Sequence, residues 1–295
     1  MENTRTKTTR NSLILLLTAA IWGMAFVSQS KGMDYMHPFT FNGVRSLIGA
    51  ASILVYILIS RKIAGDKAAP LDWKLNVKAG LLCGIFLTIA STLQQFGIKY
   101  TSVGKAGFIT TLYIIFVPMF GIFLKKKVAP VVWAAAVMAA VGMYLLCMTE
   151  SLRLGAGDIM VFLCAIAFAI QIMTVDHYAA RIDGAVVSCI QFTVCGVVCC
   201  IGALIWGQPT FGQLQEGLGA LLYAGVLSCG VGYTLQIVGQ KGLNPTVAAL
   251  IMSLESVIAT ISGWIAYKIG FLTTDQTLTC LLYTSPSPRD RSLSR

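Results

Sequence analysis

Two ionisable side chains, Arg45 and Glu255, stand well inside long apolar stretches of this chain. If such a stretch crosses a bilayer, a charge within it costs about 2.5–3.5 kcal/mol on insertion scales, so each must have a partner or a task. At 1.5 Å per residue, Arg45 lies ~10 Å from one end of its stretch and Glu255 ~15 Å into its own. The Arg45 guanidinium offers a bidentate fork to a carboxylate. The Glu255 carboxyl could hold a ligand amine or exchange a proton. The alternative is structural: the two pair with each other or with backbone carbonyls and hold helices together. Uncharged hydrogen-bonding groups surround them in the sequence. Asn42 precedes Arg45 by three residues, on the same helix face. Gln94, Gln236, Thr111, Ser253, Gln171, Gln191 and Tyr233 are candidates for a polar cavity, although an isolated polar group in a membrane helix serves interhelical bonds as readily as a ligand. Trp22 lies mid-stretch, away from the interfacial belt. It could stack on a bound cation or ring or pack against a neighbour.

These residues are carried by runs of about 20 apolar residues. The chain is 56% hydrophobic and only 12% charged, too little charge to clothe a soluble surface. Backbone groups in lipid must be satisfied internally, so each run is a helix. Nine spans are expected, at 12–30, 38–60, 76–98, 104–124, 128–148, 157–175, 185–207, 217–239 and 245–268. The fold class is therefore an all-α polytopic membrane protein, with the lipid bilayer as its solvent. The net charge of +10 sets topology here and implies no nucleic-acid partner. With the N-terminus in the cytoplasm, thirteen Lys and Arg fall inside, among them Arg61, Lys62, Lys125, Lys126, Lys127 and Lys241, against five outside. That places the chain in the cell (inner) membrane as a multi-pass protein. The cysteines sit almost entirely within spans and show no paired Cys-x-x-Cys spacing, so they read as small packing residues.

The halves of the chain resemble each other. Thr92-Leu93-Gln94-Gln95-Phe96-Gly97-Ile98-Lys99 recurs 142 residues later as Thr234-Leu235-Gln236-Ile237-Val238-Gly239-Gln240-Lys241. At the same offset Thr111-Leu112-Tyr113 falls on Ser253-Leu254-Glu255. An offset of 146 pairs Trp22 with Phe168 and Arg45 with Gln191. Five spans per repeat is an odd number, so the second repeat begins on the opposite side of the membrane. The expected plan is two inverted five-helix repeats, 12–148 and an incomplete 157–270, with a binding site at their interface. Only nine of ten helices are present. The Ser/Pro/Arg-rich stretch 280–295 reads as a non-native tail replacing the last helix. Gly80, Gly84, Thr88 and Thr92, and Ala220, Ala224, Ser228 and Gly232, form small-residue ladders for close helix packing. Pro118 should kink its span one turn earlier.

Ala20-Ile21-Trp22-Gly23, Pro38 through Arg45, Ala106 through Pro118 and Ser253-Leu254-Glu255, in this order, resemble the EamA-type permeases of the drug/metabolite transporter superfamily. The resemblance implies ten helices with both termini cytoplasmic, spans one to four and six to nine around a central cavity, and spans five and ten at the periphery, where a homodimer contact is often found. The chain departs from the pattern at Ser256, where relatives often have Pro, and at Gly270-Phe271, where a Gly-Glu pair is usual. The expected function is a secondary active transporter of small metabolites (amino acids, amphipathic compounds or drugs), exporting by alternating access. Trp22, Asn42, Arg45, Gln94, Thr111, Gln191, Tyr233, Gln236 and Ser253 would bind the small-molecule substrate, and Glu255 would couple to protons. The alternative is an uncoupled facilitator or channel. Catalysis finds no support: His37 and His177 lie at opposite faces, no phosphate-binding loop is present, and no cofactor or metal ligands are grouped.

Overall fold

The computed structural model describes residues 2–65, 71–124, several positions between 130 and 141, and 155–272. Among them, eight helices are long and apolar enough to cross a bilayer: α1 (Lys7–Gly32), α2 (Pro38–Ala64), α3 (Trp73–Ile98), α4 (Val103–Phe123), α5 (Ala156–Tyr178), α6 (Gly184–Gly207), α7 (Leu218–Gln240) and α8 (Pro245–Lys268). The span expected at 128–148 falls mostly, and the tail at 280–295 wholly, outside the described residues.

Side-chain caps set where the helices begin. Asp72 Oδ1 accepts Leu75 N at 3.0 Å for α3, and Asp183 Oδ1 accepts Ala185 N at 2.9 Å for α6. Asn244 Oδ1 accepts Thr246 N at 2.9 Å for α8, with Pro245 at the first helical position. His37 Nδ1 accepts Phe39 N at 3.4 Å ahead of Pro38. Burial, then the charge of Lys99, lowers the His37 pKa below its ordinary value, which keeps the ring neutral and able to accept.

Four spans depart from a plain α-helix, α6 by ending in a π-helical turn, Ala203–Gly207. α4 breaks at Leu112, between Val103–Thr111 and Tyr113–Phe123, and α8 breaks between Pro245–Met252 and Glu255–Lys268. The two breaks fall on the same repeat positions. In each, a hydroxyl bonds its own chain three residues back: Thr111 Oγ1 to Phe108 O and Ser253 Oγ to Leu250 O, both at 2.8 Å. Backbone bonds there also run three residues back, Leu112 N to Ile109 O at 3.2 Å and Leu254 N to Ile251 O at 3.3 Å. Such tight turns interrupt the α ladder. Pro118 lies inside the second segment, Tyr113–Phe123, after the break, and the matching break in α8 has no proline after it. In α7, Tyr223–Gly232 winds as a π-helix, which brings Gly225 and Gly230 to the buried side along with the expected Ala224, Ser228 and Gly232.

The contacts between helix ends fix the direction of each span. Near the start of α1, Asn11 Nδ2 donates to Lys241 O, after α7, at 2.7 Å. Lys241 Nζ reaches Ile182 O, after α5, at 3.2 Å, and Asp183 N donates to Asn76 Oδ1, near the start of α3, at 2.9 Å. These groups define the N-terminal face. On the opposite face Asp158, near the start of α5, receives Thr101 Oγ1 at 2.8 Å and Lys105 Nζ at 2.6 Å from the α3–α4 junction. So α1 and α5 enter the bundle from opposite faces. Their packing partners correspond too: an added Cβ on Gly97 of α3 would strike Val161 of α5, and one on Gly239 of α7 would strike Leu15 of α1. Both pairs match at the repeat offsets.

The Asp158 cluster makes a prediction about stability. Its carboxylate is 4% exposed and also receives Gly155 N at 2.8 Å. Asp158→Asn keeps the shape but loses the charge-assisted bonds, and is expected to destabilise by about 1–3 kcal/mol. The half-exposed Lys31–Asp34 pair is the control: Asp34→Asn should change stability by less than about 1 kcal/mol. Thermal unfolding of the purified protein in detergent checks both.

Candidate functional site

A narrow cavity lies between the helices, lined by residues from all eight spans. Of the expected site residues, Trp22, Asn42, Arg45, Gln94, Tyr233, Gln236 and Glu255 line it, and Gln171 joins them. Thr111, Ser253 and Gln191 are buried but are not among the lining residues. The first two turn back onto their own helices at the breaks, as described above. Thr110, one residue before the expected Thr111, faces the cavity instead and accepts from Gln94 Nε2 at 3.3 Å.

Glu255 is the first residue after the break in α8, and Tyr113 is the first after the break in α4. Tyr113 Oη donates to Glu255 Oε1 at 3.0 Å across a separation of 142 residues. Repeat-equivalent positions thus touch each other, with both side chains 3% exposed or less. The sequence marked Tyr113 only as the counterpart of Glu255; the offset held the signal for their contact.

Arg45 is held differently. Its Nε donates to Asn42 Oδ1 at 3.0 Å, and its guanidinium carbon lies 5.5 Å from the Phe41 ring centre. Asn42 Nδ2 in turn reaches Ser91 Oγ at 3.0 Å and Cys199 Sγ at 3.2 Å. Asn42 therefore ties α2 to α3 and α6 while orienting Arg45. Among the described residues no ion pair joins Arg45 to Glu255, so the mutual pairing left open from sequence is not the arrangement found. The cavity presents an acid and a base on separate walls.

Aromatic rings complete the walls. Trp22 packs on Tyr233 with ring centres 4.6 Å apart and lies 3.4 Å from Ser228 O through Nε1. It packs against a neighbour and lines the cavity at once. Tyr233 meets Phe192 edge-on at 4.9 Å. Phe26, Phe168 and Phe192 also line the space; sequence reasoning did not select them, although Phe168 is the repeat counterpart of Trp22. Toward the opposite face, Phe39 packs on Phe96 at 5.1 Å and on Trp206 at 5.5 Å. At the N-terminal face a second, wider opening is bordered by Arg61, Arg181, Lys241, Asp72 and Asp183.

Comparison with known proteins gives this geometry its family. The EamA-like transporter family matches the chain twice, over residues 10–148 and 155–284. The chain belongs to the EamA-like transporter family. An uncharacterized transporter from Archaeoglobus fulgidus is 30% identical over 171 residues, which cover 56% of this chain and 48% of that protein; the match thus spans about half the relative's length. The uncharacterized transporter YwfM of Bacillus subtilis is 27% identical over 256 residues, covering 85% of this chain and 84% of its own. A solved crystal structure shares the fold at a TM-score of 0.70 with 16% identity, over 90% of both chains. This EamA-like protein is accordingly a multi-pass membrane protein of a transporter family.

Proposed function

We propose that this EamA-like protein is a secondary active transporter that exports small amphipathic metabolites, amino acids or drugs, in exchange for protons taken up at Glu255. The observation that carries the reading is the position of Glu255: a carboxyl facing an apolar and aromatic cavity, at a helix break, bonded to the equivalent residue of the other half. One carboxylate holds either a proton or a substrate ammonium. Mutually exclusive occupancy makes the exchange an antiport, and an inward proton gradient then drives substrate outward. Arg45, oriented by Asn42, would meet an anionic group of the substrate.

Alternating access requires two halves that exchange roles. The reading of residues 12–148 and 157–270 as inverted repeats is supported by the opposite entry of α1 and α5, by the matched breaks in α4 and α8, and by the paired glycine contacts. A cytoplasmic N-terminal face is supported by the cations gathered there, Arg10, Arg61, Lys62, Arg181 and Lys241.

The test is reconstitution of the purified protein into liposomes with an imposed pH gradient and a labelled panel of amino acids and amphipathic amines. Movement of a compound against its own gradient, collapsing with a protonophore, is expected. Flux that stops at equal concentrations despite the gradient would establish the uncoupled facilitator, in which the Tyr113–Glu255 bond serves only to hold the broken helices together.

A further inference from the structure

Gln171 of α5 and Gln236 of α7 meet on the cavity wall, where Gln236 Nε2 donates to Gln171 Oε1 at 3.3 Å. The side chains are buried, with 0% and 1% exposed. Their bond uses one polar atom of each. The other two, Gln171 Nε2 and Gln236 Oε1, have no hydrogen-bond partner. Flipping both amides exchanges the labels and leaves the same remainder, because a bond between two amides always consumes one N–H and one C=O. The pair therefore leaves a donor and an acceptor unsatisfied on two residues that line the cavity, whose wall is otherwise rich in aromatic rings. Buried polar atoms are nearly always bonded. Those left open in a binding cavity point to what the ligand supplies.

Other buried amides carry open atoms as well: Gln191 and Gln240 do not line the cavity, and Gln29, which does, leaves its Oε1 without a partner. In the other half of the chain the counterpart of Gln236 is Gln94, and its amide nitrogen is bonded to Thr110. The paired open atoms thus occur on one wall only.

We infer that Gln171 and Gln236 form an amide-recognition subsite, and that the transported compound carries a carboxamide or lactam. Its C=O accepts from Gln171 Nε2 and its N–H donates to Gln236 Oε1. This rests on the transport reading above and narrows its substrate class. The group must offer an acceptor and a donor on neighbouring atoms. A carboxylate would set an anionic oxygen against the Gln236 carbonyl, an ester has no N–H, and an alkyl group would leave both bonds unmade. Glu255 and Arg45 remain available for charges elsewhere on the molecule.

Two probes isolate the subsite: L-phenylalaninamide and L-phenylalanine methyl ester. They share ring, ammonium and size, and differ in the N–H₂. Binding of each to the purified full chain, measured by calorimetry, should favour the amide by about tenfold or more, since a site built to hydrogen-bond a group rejects the analogue lacking it. In Gln171→Met and Gln236→Met the amide-over-ester preference should fall to within about twofold. Equal binding of the two probes to the unaltered protein overturns the subsite and leaves the ammonium-binding cavity standing. Binding of neither overturns both readings. The decisive comparison uses no variant, so a misfolded variant cannot mask it.

Discussion

Replacing Glu255 with glutamine is expected to abolish proton-driven accumulation while leaving the fold intact. Glutamine matches glutamate in size, and its carbonyl can still accept from Tyr113 Oη, the bond found at 3.0 Å. It cannot ionise. A one-for-one exchange with protons sustains about a tenfold concentration ratio per unit of pH gradient, because 1.4 kcal/mol corresponds to a factor of ten. In liposomes the Glu255→Gln variant should sustain a ratio of one at any gradient. Exchange of labelled for unlabelled substrate at equal concentrations needs no net proton movement, so it should survive in weakened form, the neutral amide offering the substrate ammonium only a carbonyl dipole. Thermal unfolding should shift by only a few degrees, since the replacement keeps the size of the side chain and its hydrogen bond. Gradient-driven accumulation equal to that of the unaltered protein would remove Glu255 from the coupling step and favour the facilitator.

Much of the architecture was legible in the chain because lipid imposes a simple rule: an apolar run long enough to cross is a helix. Eight of the expected spans are helices with shifted ends. The bond between Glu255 and Tyr113 joins the two positions that the 142-residue offset equates. Phase along a helix was harder to read. Thr110 and Thr111 differ by one residue, and the local break decides which faces the cavity. The break that α4 and α8 share was not marked by Pro118, which lies beyond it in α4 and has no counterpart in α8. The π-wound segment of α7 rotates its face relative to an α-helix, so the ladder of every fourth residue missed Gly225. Gln191, the counterpart of Arg45, has the right type and burial but falls outside the cavity lining. The cysteines looked like small packing residues, and Cys199 also holds Asn42 in place. Each of these depends on which side chains from different helices face one another, which a single chain's pattern of residue types does not encode.

The α2–α7 crossing should be the most sensitive packing contact near the site, and Gly225→Val is expected to disable it. A Cβ on Gly225 would stand 2.7 Å from Ile48 Cγ2 and 3.0 Å from Arg45 O. A Cβ on Gly49 would stand 2.6 Å from Cys229 Cβ and 3.0 Å from Gly225 O. Each glycine thus faces the other helix's backbone, and neither side has a flexible side-chain tip that could swing away. An isopropyl group forces the helices apart. Overpacking of this kind costs about 1–3 kcal/mol, occasionally more, and here the displaced backbone is that of Arg45 itself. Thermal unfolding should therefore fall by several degrees, and transport should fall further than the loss of stability explains, because the Arg45–Asn42 bond and the thiol and hydroxyl partners behind it move together. Gly225→Ala should be intermediate. Gly219, in the same helix, supplies the control: a Cβ there meets nothing within 4 Å, so Gly219→Ala should leave transport unchanged and raise stability by up to about 1 kcal/mol through helix propensity. Equal behaviour of the Gly225 and Gly219 variants would mean that the crossing tolerates separation and that Arg45 is positioned by Asn42 alone.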